Sequence, residues 1–184
     1  MAVYLFLTDG FEETEALTTA DILRRAAIDV SLVSLTGQRM VCGKHKIRVE
    51  ADMLFEDGVP TDGEMIILPG GAVLPGYHSH APFLALVRQY AEAGRFVAAI
   101  CAAPTVLSKL GLLDGRTAVC YPDMAAQLTG AQYGTHDVEQ DGAFITARCA
   151  GVTVAFALKL VEVLRGTALA NEVAAAFAGG RYCE

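Results

Sequence analysis

The chain has 184 residues, 53% of them hydrophobic and 19% charged, with no Trp. That length and apolar content suit a folded domain burying roughly 70% of its unfolded surface, and exclude a disordered chain. A formal net charge of −7 excludes a nucleic-acid partner, which needs a basic face, and offers an anionic membrane surface nothing to attract.

In chain order, Val3 to Leu7 reads as a strand, Glu13 to Ala27 as an amphipathic helix and Val30 to Ser34 as a second strand. Met40 to Val49 reads as two short antiparallel strands around Gly43-Lys44, its run Lys44-His45-Lys46-Ile47-Arg48 forming a solvated edge. Glu64 to Leu68 is a strand ending at Pro69-Gly70-Gly71, Pro82 to Ala93 a helix and Phe96 to Ile100 a strand ending at Cys101. A helix over Ala102 to Leu110, a strand over Arg116 to Cys120 and a short helix over Pro122 to Leu128 follow. Tyr133 to Glu139 and Ala143 to Ala147 pair around Gln140-Asp141-Gly142, since Asp-Gly is a strong turn signal. Gly151 to Leu164 and Ala168 to Phe177 close the chain as helices.

This alternation implies right-handed crossovers and an α/β fold: a mostly parallel sheet with helices on both faces. No linker or repeat interrupts it, so 1–184 reads as one domain. The apolar run Ala2 to Leu7 is too short for a signal sequence, no stretch is long enough to span a bilayer, and a cytoplasmic location follows. The cysteines, Cys42, Cys101, Cys120, Cys149 and Cys183, are odd in number and scattered, which argues against a disulfide framework or a metal site.

Three loops then follow strand C-terminal ends, the edge where open parallel sheets gather their sites: Thr8 to Glu12, Pro69 to Gly71, and Cys101. At Cys101 an apolar strand stops at a thiol, small residues stand at Ala99 and Ala103, and Pro104 suits a helical first turn. That is the steric pattern of a nucleophile elbow, with a thiol pKa lowered at a helix start. A buried small hydrophobe is the other reading of the same stretch. Glu12 and Glu13 read as solvated acids at a helix start, whereas Glu15 falls where a carboxyl leans toward the thiol or stays solvated. Gly70-Gly71 is a tight turn or a loop whose N–H groups bind an oxyanion beside Cys101. No G-K-[ST] follows it, so it is not a phosphate loop.

The strings Gly10-Phe-Glu-Glu-Thr-Glu-Ala16, Ile67-Leu-Pro-Gly-Gly71, Ala98-Ala-Ile-Cys-Ala-Ala-Pro104 and Ile145-Thr-Ala-Arg148 together resemble the ThiJ/PfpI superfamily. Within it they are most similar to the subfamily of the Parkinson disease-linked cysteine protein and its bacterial relatives. The resemblance implies one flavodoxin-like three-layer sandwich, like that of class I glutamine amidotransferases, acting as a homodimer without cofactor or metal. It implies that Cys101 is the oxidation-sensitive nucleophile, Glu15 its protonated partner, and Gly70, Gly71 and Ala102 backbone donors.

The activities implied are glyoxalase- or deglycase-like, on an α-oxoaldehyde or a glycated adduct. The alternative is a non-enzymatic redox sensor, with Cys101 oxidised to sulfinic acid, or a chaperone. Tyr121 stands where several relatives carry His, and Cys149-Ala150-Gly151 replaces the family's Gly-Pro-Gly after Arg148. Tyr121, Arg148, Cys149 and Ala150 are therefore pocket residues, Cys149 either a second thiol near the site or a buried small residue. Ala102 stands where the protease-like branch has His, and His136-Asp137-Val138 lacks an amidotransferase's His-x-Glu, so neither activity is expected. His45, His78 and His80 read as surface residues, the last two within reach of a pocket rim.

Overall fold

The computed structural model describes residues 2–58, 61 and 63–179, so Cys183 lies outside the described residues. Among the described residues eleven strands and six α-helices follow in chain order. They are β1 (Val3–Leu7), α1 (Glu13–Arg25), β2 (Val30–Ser34), β3 (Met40–Cys42), β4 (Arg48–Glu50), β5 (Met53–Leu54) and β6 (Met65–Leu68). After these come α2 (Leu74–Ser79), α3 (Ala81–Glu92), β7 (Phe96–Ile100), α4 (Pro104–Lys109), β8 (Thr117–Ala118), β9 (Gln132–Tyr133), β10 (Val138–Asp141), β11 (Phe144–Ala147), α5 (Thr153–Arg165) and α6 (Thr167–Phe177).

Seven strands form one sheet in the order β10-β11-β7-β6-β1-β2-β5. Its pairs are parallel except β10 with β11. β1 and β6 are buried along their whole length, as continuous apolar runs covered on both faces must be. The chain leaves β1 toward β2, then returns past β1 to β6 and β7. With right-handed crossovers, α1 and α3 therefore fall on opposite faces. α5 packs on α1 and α6 on α5, while α2 touches α3 and α4, which completes a flavodoxin-like sandwich. The strand order reverses between β1 and β6, so a crevice opens above their C-terminal ends.

The departures from the sequence reading are local. β5 and α2 had no clear periodicity: two residues are too few for alternation, and Pro75-Gly76 obscures the short helix. The strand expected over Arg116 to Cys120 shortens to β8, which pairs with β9 in a separate two-stranded parallel sheet. Tyr133 therefore does not join β10, because the Glu139 carboxylate accepts from the His136 N–H at 2.9 Å and closes a turn between them. Among the described residues no helix is long and apolar enough to cross a membrane.

Candidate active site

Helix periodicity puts Glu15 at the sheet edge. Glu15, Thr19 and Ile22 stand four and three residues apart on one stripe of α1, and all three are buried. Glu12 starts the helix, its Oε2 accepting from the Glu15 N–H at 2.8 Å. Glu15 is 1% exposed, and its Oε2 accepts the Gly70 N–H at 2.7 Å. Oε1 is buried with no partner of good geometry.

Cys101 closes the elbow expected of it. Its φ is +64°, a left-handed conformation rare for a residue with a side chain. The Cys101 N–H donates to Ala147 O at 2.9 Å and its carbonyl accepts from Tyr121 N at 2.8 Å, which over-determine that geometry. α4 begins only at Pro104, not at Ala102, because residues 101–103 form the turn.

Gly70 holds the acid and the thiol together. A Cβ there would lie 2.7 Å from Cys101 Cβ and 2.9 Å from Ala102 N and from Glu15 Oε2. The N–H groups of Gly71 and Ala102 face the Cys101 sulfur and favour its thiolate. Gly70, expected as a third donor at the thiol, instead gives its N–H to Glu15.

Burial raises the Glu15 carboxyl from 4.5 to about 7, against the opposing hydrogen bonds from Gly70 and Cys101. Burial, then the charge and hydrogen bond of Glu15, push the Cys101 thiol up to about 12. The thiol pKa is therefore not lowered by its place before a helix: burial beside an ionised carboxylate outweighs two N–H groups. The two groups titrate as a pair that holds one proton between about 7 and about 12. A thiolate within that range requires the proton to sit on Glu15.

The same shift predicts a stability effect. Between 4.5 and about 7 the folded chain holds a proton on Glu15 that the unfolded chain has lost, so stability falls as pH rises through that window. Glu15→Gln should raise stability by about 3 kcal/mol at pH 8, with the gain disappearing near pH 4. Urea midpoints at the two pH values measure the difference.

A cleft of about 440 Å³ opens over the pair. Tyr121, Cys149 and Ala150 line it as the sequence suggests, and Glu12, Lys44, His45 and Met124 line it as well. Arg148 is displaced from this wall. It donates to Thr135 O at 3.1 Å, lies 3.4 Å from Asp137 Oδ1 and covers the Tyr133 ring, so it braces the loop behind the cleft.

Lys44 and His45 reach the rim because Glu13 is not the solvated acid of the sequence reading. It is 5% exposed, and its Oε1 accepts from His45 N at 2.7 Å and Ile47 N at 3.4 Å. Lys44 N–H donates to Phe11 O at 2.8 Å. The basic run is thus folded back over the β1–α1 loop, a long-range contact that local pattern does not carry. Glu12, Glu13 and His45 bring ligand atoms within 4.8 Å of one another. Glu12 Oε2 holds the helix start and Glu13 Oε1 holds this turn, so the group is a brace. His78 and His80 stay away from the cleft: His78 sits with Lys109 in a separate recess, and His80 Nδ1 accepts from Phe83 N at 3.1 Å at the start of α3. His136 is an exposed partner of Glu139.

A parallel α/β sandwich with a left-handed cysteine between strand and helix, facing a buried carboxyl, defines the class: a cysteine elbow protein of flavodoxin-like fold. Residues 1–163 match the DJ-1/PfpI family. The chain is 35% identical over 173 residues to Protein dj-1beta of Drosophila melanogaster, covering 92% of each. It is 26% identical over 167 residues to a protein of Pyrococcus abyssi named a deglycase, covering 90% of this chain and 100% of that one. The fold superposes on oxidized Toxoplasma gondii DJ-1 with a TM-score of 0.89 at 31% identity, over 96% of this chain and 97% of that one. The chain belongs to the DJ-1/PfpI family.

Proposed function

We propose that this is a cysteine-dependent stress-response protein acting on α-oxoaldehydes or glycated adducts, with Cys101 as nucleophile and Glu15 as acid and base. The observation that carries the reading is Cys101, held at φ +64° against the buried Glu15. The deglycase name of the Pyrococcus abyssi relative supports it.

With methylglyoxal, the Cys101 thiolate attacks the aldehyde carbon, forming a C–S bond while the carbonyl π pair moves to oxygen. That oxygen receives N–H donors from Gly71 and Ala102 and the proton from Glu15, giving a hemithioacetal. The Glu15 carboxylate then takes the proton from the former aldehyde carbon and returns it to the neighbouring carbon, while the hydroxyl proton passes from the first oxygen to the ketone oxygen through the enediol, leaving a hydroxyacyl thioester. Water cleaves the C–S bond, lactate leaves and the thiol is restored. Tyr121, at the cleft wall, is a hydrogen-bond donor to substrate.

Lactate formation from methylglyoxal should fall about 10³-fold or more in Cys101→Ser. Turnover at the unaltered rate in that variant sinks the mechanism. A second reading, in which Cys101 oxidises to sulfinic acid as a redox signal, is favoured by the same pair and by the oxidized state of the Toxoplasma gondii relative. In either reading the chain acts as one domain, as a homodimer in the cytoplasm.

A further inference from the structure

Cys149 follows the end of β11 in extended backbone, φ −166° and ψ 174°. β7 and β11 are parallel neighbours whose last register pair is Ile100 with Ala147. The hydrogen bond from Cys101 N to Ala147 O carries that register one residue on and sets Cys101 beside Arg148. Cys149 is one residue further. The two cysteines thus follow the C-terminal ends of neighbouring strands, one register step apart. Both side chains are partly exposed, and both line the one cleft. Cys120 is fully buried, and neither it nor Cys42 lines the cleft.

We propose that Cys149 is a resolving thiol: oxidation of Cys101 by a hydroperoxide ends in a Cys101–Cys149 disulfide, and the chain thereby reduces hydroperoxides at the expense of an external thiol. This rests on the reactive Cys101–Glu15 pair of the proposed function and not on its aldehyde chemistry. The Cys101 thiolate attacks one peroxide oxygen, so an S–O bond forms and the O–O bond breaks. The departing hydroxide takes the Glu15 proton and leaves as water, with sulfur oxidised by two electrons and peroxide reduced by two. The Cys149 thiol then attacks the sulfenic sulfur: an S–S bond forms, the S–O bond breaks, and hydroxide leaves as a second water with the Cys149 proton. A dithiol such as dithiothreitol exchanges with the disulfide and restores both thiols.

The test uses the whole chain, a small molar excess of hydrogen peroxide (about two or more per chain, since sulfinic acid consumes two), alkylation of remaining thiols and non-reducing peptide mass mapping. The expected product is a cross-linked pair of peptides carrying Cys101 and Cys149, lighter than their sum by two hydrogens and reopened by dithiothreitol. In Cys149→Ser and Cys149→Ala the cross-link is lost, and Cys101 gains two oxygens that dithiothreitol does not remove. The proposal is overturned if Cys101 of the unaltered chain gains two oxygens while Cys149 stays alkylatable, or if Cys101 is joined to any other cysteine. Lactate formation from methylglyoxal is followed on the same preparation. The disulfide without lactate defeats the aldehyde reading alone, and lactate with an unlinked Cys149 defeats this one alone.

Discussion

Replacing Glu15 by Gln should lower kcat/KM for methylglyoxal by about 10²–10⁴-fold, the usual worth of a positioned acid and base. Below about 7 the Glu15–Cys101 pair holds two protons and the sulfur stays a thiol. Raising the pH through that value removes one proton, and the thiolate becomes available with Glu15 still protonated. Near 12 the second proton leaves and Glu15 has none to donate. The rate should therefore rise through a midpoint near 7 and fall again toward 12. Alkylation of Cys101 by iodoacetamide should share the ascending limb, because it too consumes the thiolate. In Glu15→Gln the sulfur can ionise only by losing its proton to solvent, so that limb moves upward. An alkylation profile that keeps its midpoint in the variant contradicts the shared proton. With the stability gain expected at pH 8, this pairs lost turnover with a firmer fold, which separates a catalytic role from a merely structural one.

Gly71→Ala should unfold the chain most readily of any single methyl added at the site. Gly71 has φ +106°, and a Cβ there would sit against the Gly10 carbonyl, 2.6 Å from Glu12 N and 2.9 Å from Phe11 C. All three are backbone, pinned by the Phe11–Gly71 bridge and by Glu12 N donating to Gly70 O at 2.8 Å. The obstruction cannot rotate away, so the loss should reach about 3–5 kcal/mol, which lowers the melting temperature by roughly 10 °C in a chain this size. The same displacement moves the Gly71 N–H away from the sulfur, so the surviving folded fraction should also react slowly. A melting temperature unchanged within about 2 °C would show that the two loops are not locked together as described.

Much of this architecture is legible along the chain. The apolar runs of β1, β2, β6 and β7 have the bounds that composition suggests to within a residue, because buried parallel strands need continuous apolar sequence. The elbow is legible for a steric reason: only small residues fit around a left-handed cysteine, and Ala99, Ala102 and Ala103 supply them. Glu15 is legible once α1 is placed, since helical period sets it on the buried stripe.

Other features depend on residues far apart in sequence. Glu13 resembles any acid at a helix start until the turn after β3 folds over it, and that same contact carries Lys44 and His45 to the cleft. Arg148 is charged and follows a strand, as a pocket residue would, yet the carbonyl of Thr135 and the carboxylate of Asp137 draw it behind the wall.

Periodicity and residue size alone determined the sheet, the elbow and the edge on which the loops meet, since those depend on each residue's own volume, polarity and neighbours. Which acid is buried, which N–H faces sulfur and how the proton is held were decided only by tertiary structure, because pKa and hydrogen bonding are set by what distant segments bring within a few ångströms.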